Sequence, residues 1–167
     1  MLFRSSDNAD YMARIAATGH SGDINTLGVV AAQAALNEGE PWLKQLISYI
    51  DGNHEFVSDF VAKRIPLLKY TKPQGTYLGW VDVSGLIERI GAGAKAAKAN
   101  QGRPASARPI TAEMIVQDFL VKRAKVQINA GTNYGQAGTG RMRMNLGTSR
   151  KTLEMALGSI ASALQKL

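Results

Sequence analysis

Arg141 and Arg143 alternate with Met142 and Met144 in RMRMN (141–145), directly behind GTNYGQAGTG (131–140), which holds four of the chain's seventeen glycines. Alternate side chains of an extended strand face opposite ways, so Met142, Met144 and Leu146 turn to one side and Arg141, Arg143 and Asn145 to the other. Two chemistries fit such a stretch. Its amides could cradle a phosphate, or its glycines could let the backbone pass close to a ligand and deliver a guanidinium whose planar fork matches a carboxylate. GQAGTGRM (135–142) approaches the phosphate-loop spacing, but Arg141 and Met142 stand where Lys and then Ser or Thr are needed. It also enters a strand, whereas a phosphate loop enters a helix whose first amides hold the anion. The dinucleotide fingerprint fails on context and spacing too. The carboxylate fork therefore stands against a plain alternative, a solvated polar strand face.

Other chemistries are narrowed by composition. The chain has no Cys, which excludes disulfides, thiolate metal sites and a cysteine nucleophile, and with only His20 and His54 no histidine-rich metal site is expected. At 167 residues and 45% hydrophobic content it can bury a core of about one domain. No apolar run approaches the roughly 20 residues of a membrane span, and the first residues hold no apolar signal segment, so a cytoplasmic setting is expected. The formal charge of +7 raises an acidic partner. Much of the excess sits in GAKAAKANQGRPASARP (93–109), which has four cations, no acid and no aromatic residue to stack on bases. Nucleic acid is thus an unfavoured partner, and the segment at 91–109 reads as a solvated, mobile insertion of low complexity.

The elements that must position the arginines follow from periodicity. Ser21 and Asp23 can cap an Ala-rich, close-packing helix through Leu27, Val30, Ala31, Ala34 and Ala35. Pro41 can open a long helix through Leu43, Leu46, Ile47, Ile50, Val57, Phe60 and Val61, ending before Pro66, with a possible bend at Gly52. LLKYTK and TYLGWVDV are extended runs joined through Pro73 and Gly75, the second an inner strand with both faces covered. A short helix at 84–90 and a helix capped by Thr111, with Met114, Ile115, Phe119 and Leu120 inward, lead to a brief strand, KVQIN. After RMRMNL, a closing helix sets Leu153, Leu157, Ile160, Leu164 and Leu167 on one face. The order predicts an α/β fold of the α+β small-domain kind: a sheet of three to four strands packed by helices and preceded by two long helices.

Taken together, TGHSGDINTLGVVAAQAAL, GEPWLKQLISYIDGNHEFV, PQGTYLGWVDVSG and AKVQINAGTNYGQAGTGRMRMNLGTSR resemble consecutive segments of the C-terminal part of class I/II, fold-type I pyridoxal-phosphate enzymes. The likeness is to aminotransferases and to the cystathionine β-lyase-like C–S lyases, from about residue 11 onward. It implies a large-domain remnant at 1–40, a connecting helix at 41–65 and a small domain at 66–167 that carries the insertion. It also implies that Arg143, two residues before Asn145, binds the substrate α-carboxylate, and that Tyr134 and Tyr77 approach the same cleft. For both tyrosines simple packing is an equal alternative. Ser21 resembles residues near the partner subunit's cofactor in a family homodimer, although a helix cap explains it as well.

The family's chemistry needs a lysine to form a Schiff base with pyridoxal phosphate, an acid at the pyridinium nitrogen and a phosphate cup. No lysine precedes residue 20, and MLFRSSDNADYM resembles sequence that follows the Schiff-base lysine. No catalytic residue is therefore expected in this chain, nor cofactor binding by the chain alone. Three roles stay open: the carboxylate-binding part of a transaminase or C–S lyase, inactive alone and needing the missing N-terminal half or a second subunit; a stand-alone amino- or keto-acid-binding or dimerising remnant; and a nucleic-acid binder. Unpartnered helix faces also predict self-association.

Overall fold

The computed structural model describes residues 7–17 and 25–167, apart from the side chain of Ile15. Among the described residues there are seven α-helices and one four-stranded sheet. The chain divides into two compact units, Met1–Lys44 and Gln45–Leu167.

In the first unit, α1 (Ala9–Ala17), to which the sequence pattern assigned nothing, is capped by Asn8 Oδ1 accepting from Asp10 N and Tyr11 N. Ser21 and Asp23, the expected caps of the next helix, lie outside the described residues. Asn25 caps α2 (Thr26–Glu38) instead, its Oδ1 accepting from Gly28 N at 2.7 Å. The close packing expected of this Ala-rich helix is not found: α2 buries no residue, and Leu27 and Leu36 are 82% and 85% exposed.

Helix α3 (Glu40–Arg64) runs unbroken through Gly52, and most of it belongs to the second unit. Its buried positions are Asn53, His54, Val57 and Val61, while Leu43 and Ile47 of the expected apolar stripe are exposed. The stripe is thus used by this chain only in its C-terminal half. Strands β1 (Lys69–Tyr70), β2 (Leu78–Asp82), β3 (Asn129–Ala130) and β4 (Arg141–Asn145) form an antiparallel sheet in the order β1-β2-β4-β3. β2 is an inner strand, as its pattern suggested. Of the expected strand at KVQIN only Asn129 is extended in the sheet, with Ala130 beyond it, and Lys125, in the left-handed region at φ 58°, still caps the preceding helix.

One face of the sheet closes the core. Val81 and Val83, with Met142, Met144 and Leu146, pack into one cluster with Val57, Val61, Leu86, Leu120, Leu157 and Ile160. Burying each such side chain contributes about 1.5–3 kcal/mol. The covering helices are α4 (Ser84–Ile90), α5 (Ala92–Asn100), α6 (Ala112–Ala124) and α7 (Arg150–Leu164). The Ser84 N–H donates to Asp82 Oδ1 at 2.9 Å, and that bond holds the Asp82 carboxyl below its ordinary range. In α6 the fully inward positions are Glu113, Val116, Leu120 and Ala124, whereas Met114, Ile115 and Phe119 are half-buried, a rotation from the expected stripe. In α7, Ala161 and Ala163 are buried while Leu167, expected inward, is 43% exposed.

The segment at 91–109 corrects its composition. Where a mobile insertion was expected, α5 buries Ala92 and Ala96, and Asn100 joins both backbone groups of Ile110, its Nδ2 donating to the carbonyl and its Oδ1 accepting from the N–H. Arg108 Nη2 then donates to Asn133 Oδ1 at 2.6 Å. Alanine's small volume and high helix propensity make this a packed helix despite its low complexity.

Candidate carboxylate site on the sheet

Strict alternation along β4 buries Met142 and Met144 and puts Arg143 on the sheet's other face, half-buried. The register sets Trp80 of β2 on one side of Arg143 and Asn129 of β3 on the other. A single 3₁₀ turn, Gly131–Tyr134, brings the Tyr134 ring under the guanidinium, with Cζ 4.0 Å from the ring centroid. Trp80 meets the same ring edge-on, centroids 5.8 Å apart. A cation over a ring face is attracted by it, and a guanidinium so placed still has N–H donors to offer a planar anion. No carboxylate among the described residues pairs with Arg143.

The glycines serve that geometry by packing on themselves. A Cβ at Gly138 would strike the Gly131 backbone, and one at Gly131 would strike the Gly138 and Arg141 carbonyls. Gly140, at φ +73°, donates its N–H to the buried Glu113 carboxylate at 2.6 Å. The loop's close backbone contacts and the Gly140 amide are thus committed inside the protein. This is a tight reversal that aims β4, with none of the layout of a phosphate cradle.

Past β4 the chain is anchored to α3. Asn53 Nδ2 donates to the Leu146 and Thr148 carbonyls, both at 2.9 Å, and Asn53 Oδ1 accepts from Arg150 Nε at 2.9 Å. Arg150 stacks on Phe56, and its backbone N–H donates to Tyr49 Oη. Beside this anchor, His54 Nε2 donates to the Thr76 carbonyl at 2.9 Å, and its Nδ1 shares a hydrogen bond of 2.6 Å with Tyr70 Oη. Burial pushes the Tyr70 phenol up to about 12.

The structure therefore brings Arg143 and Tyr134 into contact. Asn145 shares their face, but its Oδ1 accepts from Gly147 N at 2.8 Å and so shapes the turn after β4. Tyr77 lies against Gly147 with its carbonyl accepting from Leu146 N. Ser21 lies outside the described residues. Trp80 and Asn129 are additions that sequence reasoning missed; only strand register reveals them.

No protein-family model matches the chain. Among curated proteins it is 34% identical over 145 residues to a cystathionine β-lyase, PatB, of Bacillus subtilis, covering 86% of this chain and 31% of that protein. It is 26% identical over 166 residues to the protein MalY of Escherichia coli, covering 99% of this chain and 36% of that one. Among solved structures, the pyridoxal-phosphate-bound C–S lyase of Staphylococcus hominis superposes with a TM-score of 0.72 at 29% identity, over 94% of this chain and 36% of that one. The chain spans about a third of the length of the curated relatives it matches. Its homologues are thus cystathionine β-lyases and MalY, fold-type I pyridoxal-phosphate enzymes, and the chain is similar to their C-terminal portion.

Proposed function

We propose that this chain supplies the substrate-carboxylate arm of a pyridoxal-phosphate-dependent enzyme acting on amino acids, by C–S β-elimination or amino-group transfer, and that it is inactive alone. One observation carries this: Arg143 lies over the Tyr134 ring and beside Trp80, with no carboxylate partner among the described residues. Its fork is then available to the α-carboxylate of an amino-acid or keto-acid substrate, with Asn145 and Tyr77 farther along the same end of the sheet.

The residues present do not fit the cofactor's covalent anchor. A Schiff-base lysine must be desolvated enough to lose its proton near neutral pH. Every lysine of the chain is exposed, and Lys72 is held charged by hydrogen bonds to Asp51 and Glu55. The anchor would come from an N-terminal portion supplied by another polypeptide segment. The exposed apolar side chains of Leu27, Val30, Leu36, Trp42 and Leu43 favour a further polypeptide over these helices, either that portion or a second copy in a homodimer. In that reading the enzyme is cytoplasmic.

The test is complementation. The chain, mixed with the separately produced N-terminal two-thirds of a relative, is expected to restore amino-acid turnover that neither part shows alone. Borohydride trapping of pyridoxal phosphate on one lysine of this chain alone would overturn the assignment. Carboxylate-dependent binding of amino acids by the chain, without complementation, would favour the second role, a stand-alone binding remnant.

A further inference from the structure

Helices α4 to α7 enclose a cleft of 590 Å³ that shares no residue with the Arg143 face. Arg89, Lys95, Lys122, Arg123 and Lys166 line it, over a floor that includes Ile90 and Phe119. Of these cations only Lys122 is paired, with Asp118 at 2.8 Å; Arg89, Lys95, Arg123 and Lys166 have no acidic partner among the described residues. Leu167 also borders it. Arg123 and Lys166 also border an adjoining groove that adds Lys125 and a single acid, Glu154.

Cations gathered from three helices and the segment after α7 around one concavity repel one another, and low-dielectric walls focus their field into it. A multivalent anion relieves that repulsion. The volume lies within the roughly 300–1,000 Å³ of small-molecule sites, so the concavity suits a compact anion better than an extended one. Arg89 and Arg123 can each fork onto phosphate oxygens while the lysines act as mobile point charges. The half-buried Phe119 offers an apolar wall to an organic group but no exposed ring for stacking successive bases.

We propose that this cleft binds a small polyphosphate anion, inorganic or carried on an organic group, as a site additional to the carboxylate arm. The full 167-residue chain is titrated by calorimetry with inorganic triphosphate and, separately, with ATP. Saturable one-to-one binding with a Kd below about 1 mM is expected, weakening as salt rises. Arg123→Gln with Lys166→Gln, both exposed and so compatible with folding, is expected to weaken it at least ~10-fold. Lys69→Gln, on exposed β1, should leave it unchanged. Equal affinity for the two probes means that phosphate alone is recognised, and tighter ATP means that the apolar wall adds to it; both uphold the site. Absence of saturable triphosphate binding, adenosine binding as tightly as ATP, an unaffected double variant, or duplex DNA binding that triphosphate does not displace would each overturn it.

Discussion

Arg143 and Arg150 stand at opposite ends of one short segment, and each lies on an aromatic ring, Tyr134 and Phe56 respectively. There the likeness stops. Arg150 donates to the buried Asn53, which in turn holds two carbonyls of the same segment, and its backbone N–H reaches Tyr49. Arg143 lies over its ring but pairs with no acid among the described residues. One arginine ties the fold together; the other is presented by it. The contrast shows why burial and stacking alone do not mark a ligand-binding arginine: what separates the two is whether an acceptor is already in place.

The largest expected effect is on the loop that makes the presentation possible. Gly138→Ala forces a Cβ into the Gly131 backbone and is expected to cost about 3 kcal/mol or more, read as a lowered denaturant midpoint. A midpoint within error of wild type would break the claim that the loop packs backbone on backbone. Next, Asn53→Ala strands the Leu146 and Thr148 carbonyls and the Arg150 Nε, with an expected loss of about 2–3 kcal/mol by the same measurement.

The two arginines should then part company. Arg150→Ala is expected to lower stability by about 1.5–3 kcal/mol, as for a hydrogen bond to a charged group. Arg143→Ala should fall within about 1 kcal/mol of wild type, since only an aromatic contact is lost. Equal losses would erase the distinction between them.

The smallest effect is spectroscopic. Tyr70, its phenol pushed up to about 12, should titrate after the exposed tyrosines in ultraviolet absorbance, and Tyr70→Phe should remove that late step. The sign follows from the neutral phenol being favoured in the fold. Its contribution is complete below the unfolded value of about 10 and is lost as pH climbs through about 12. A tyrosine titration with no late component would contradict the buried His54–Tyr70 pair.

Much of this was legible in residue order. The alternation of RMRMN fixes which side chains face the core whatever the register, so Met142, Met144 and Arg143 could be placed from sequence. The partners of Arg143 could not: Trp80 and Asn129 come opposite it only because β2 and β3 pair with β4 at one offset, which no local pattern encodes. Buried polar anchors were equally hidden. Asn53 and His54 sit in α3 where an apolar stripe was expected, and their burial is tolerated because each finds hydrogen-bond partners far along the chain. Composition misled at 92–100, where buried Ala92 and Ala96 and the Asn100–Ile110 bonds make a packed helix, while 101–109 stays largely exposed. The Asn145 side chain, aligned with Arg143 by parity, turns instead to its own backbone at Gly147.

The central claim, that Arg143 awaits a carboxylate held by the rest of an enzyme, is tested most directly by joining this chain to the N-terminal two-thirds of a relative. In that assembly kcat/KM is compared for an amino-acid thioether and for the amine that lacks its carboxylate. The assembled enzyme is expected to prefer the amino acid by about a hundredfold, and Arg143→Ala to abolish the preference while sparing the amine. An undiminished preference in the Arg143→Ala enzyme would contradict the account.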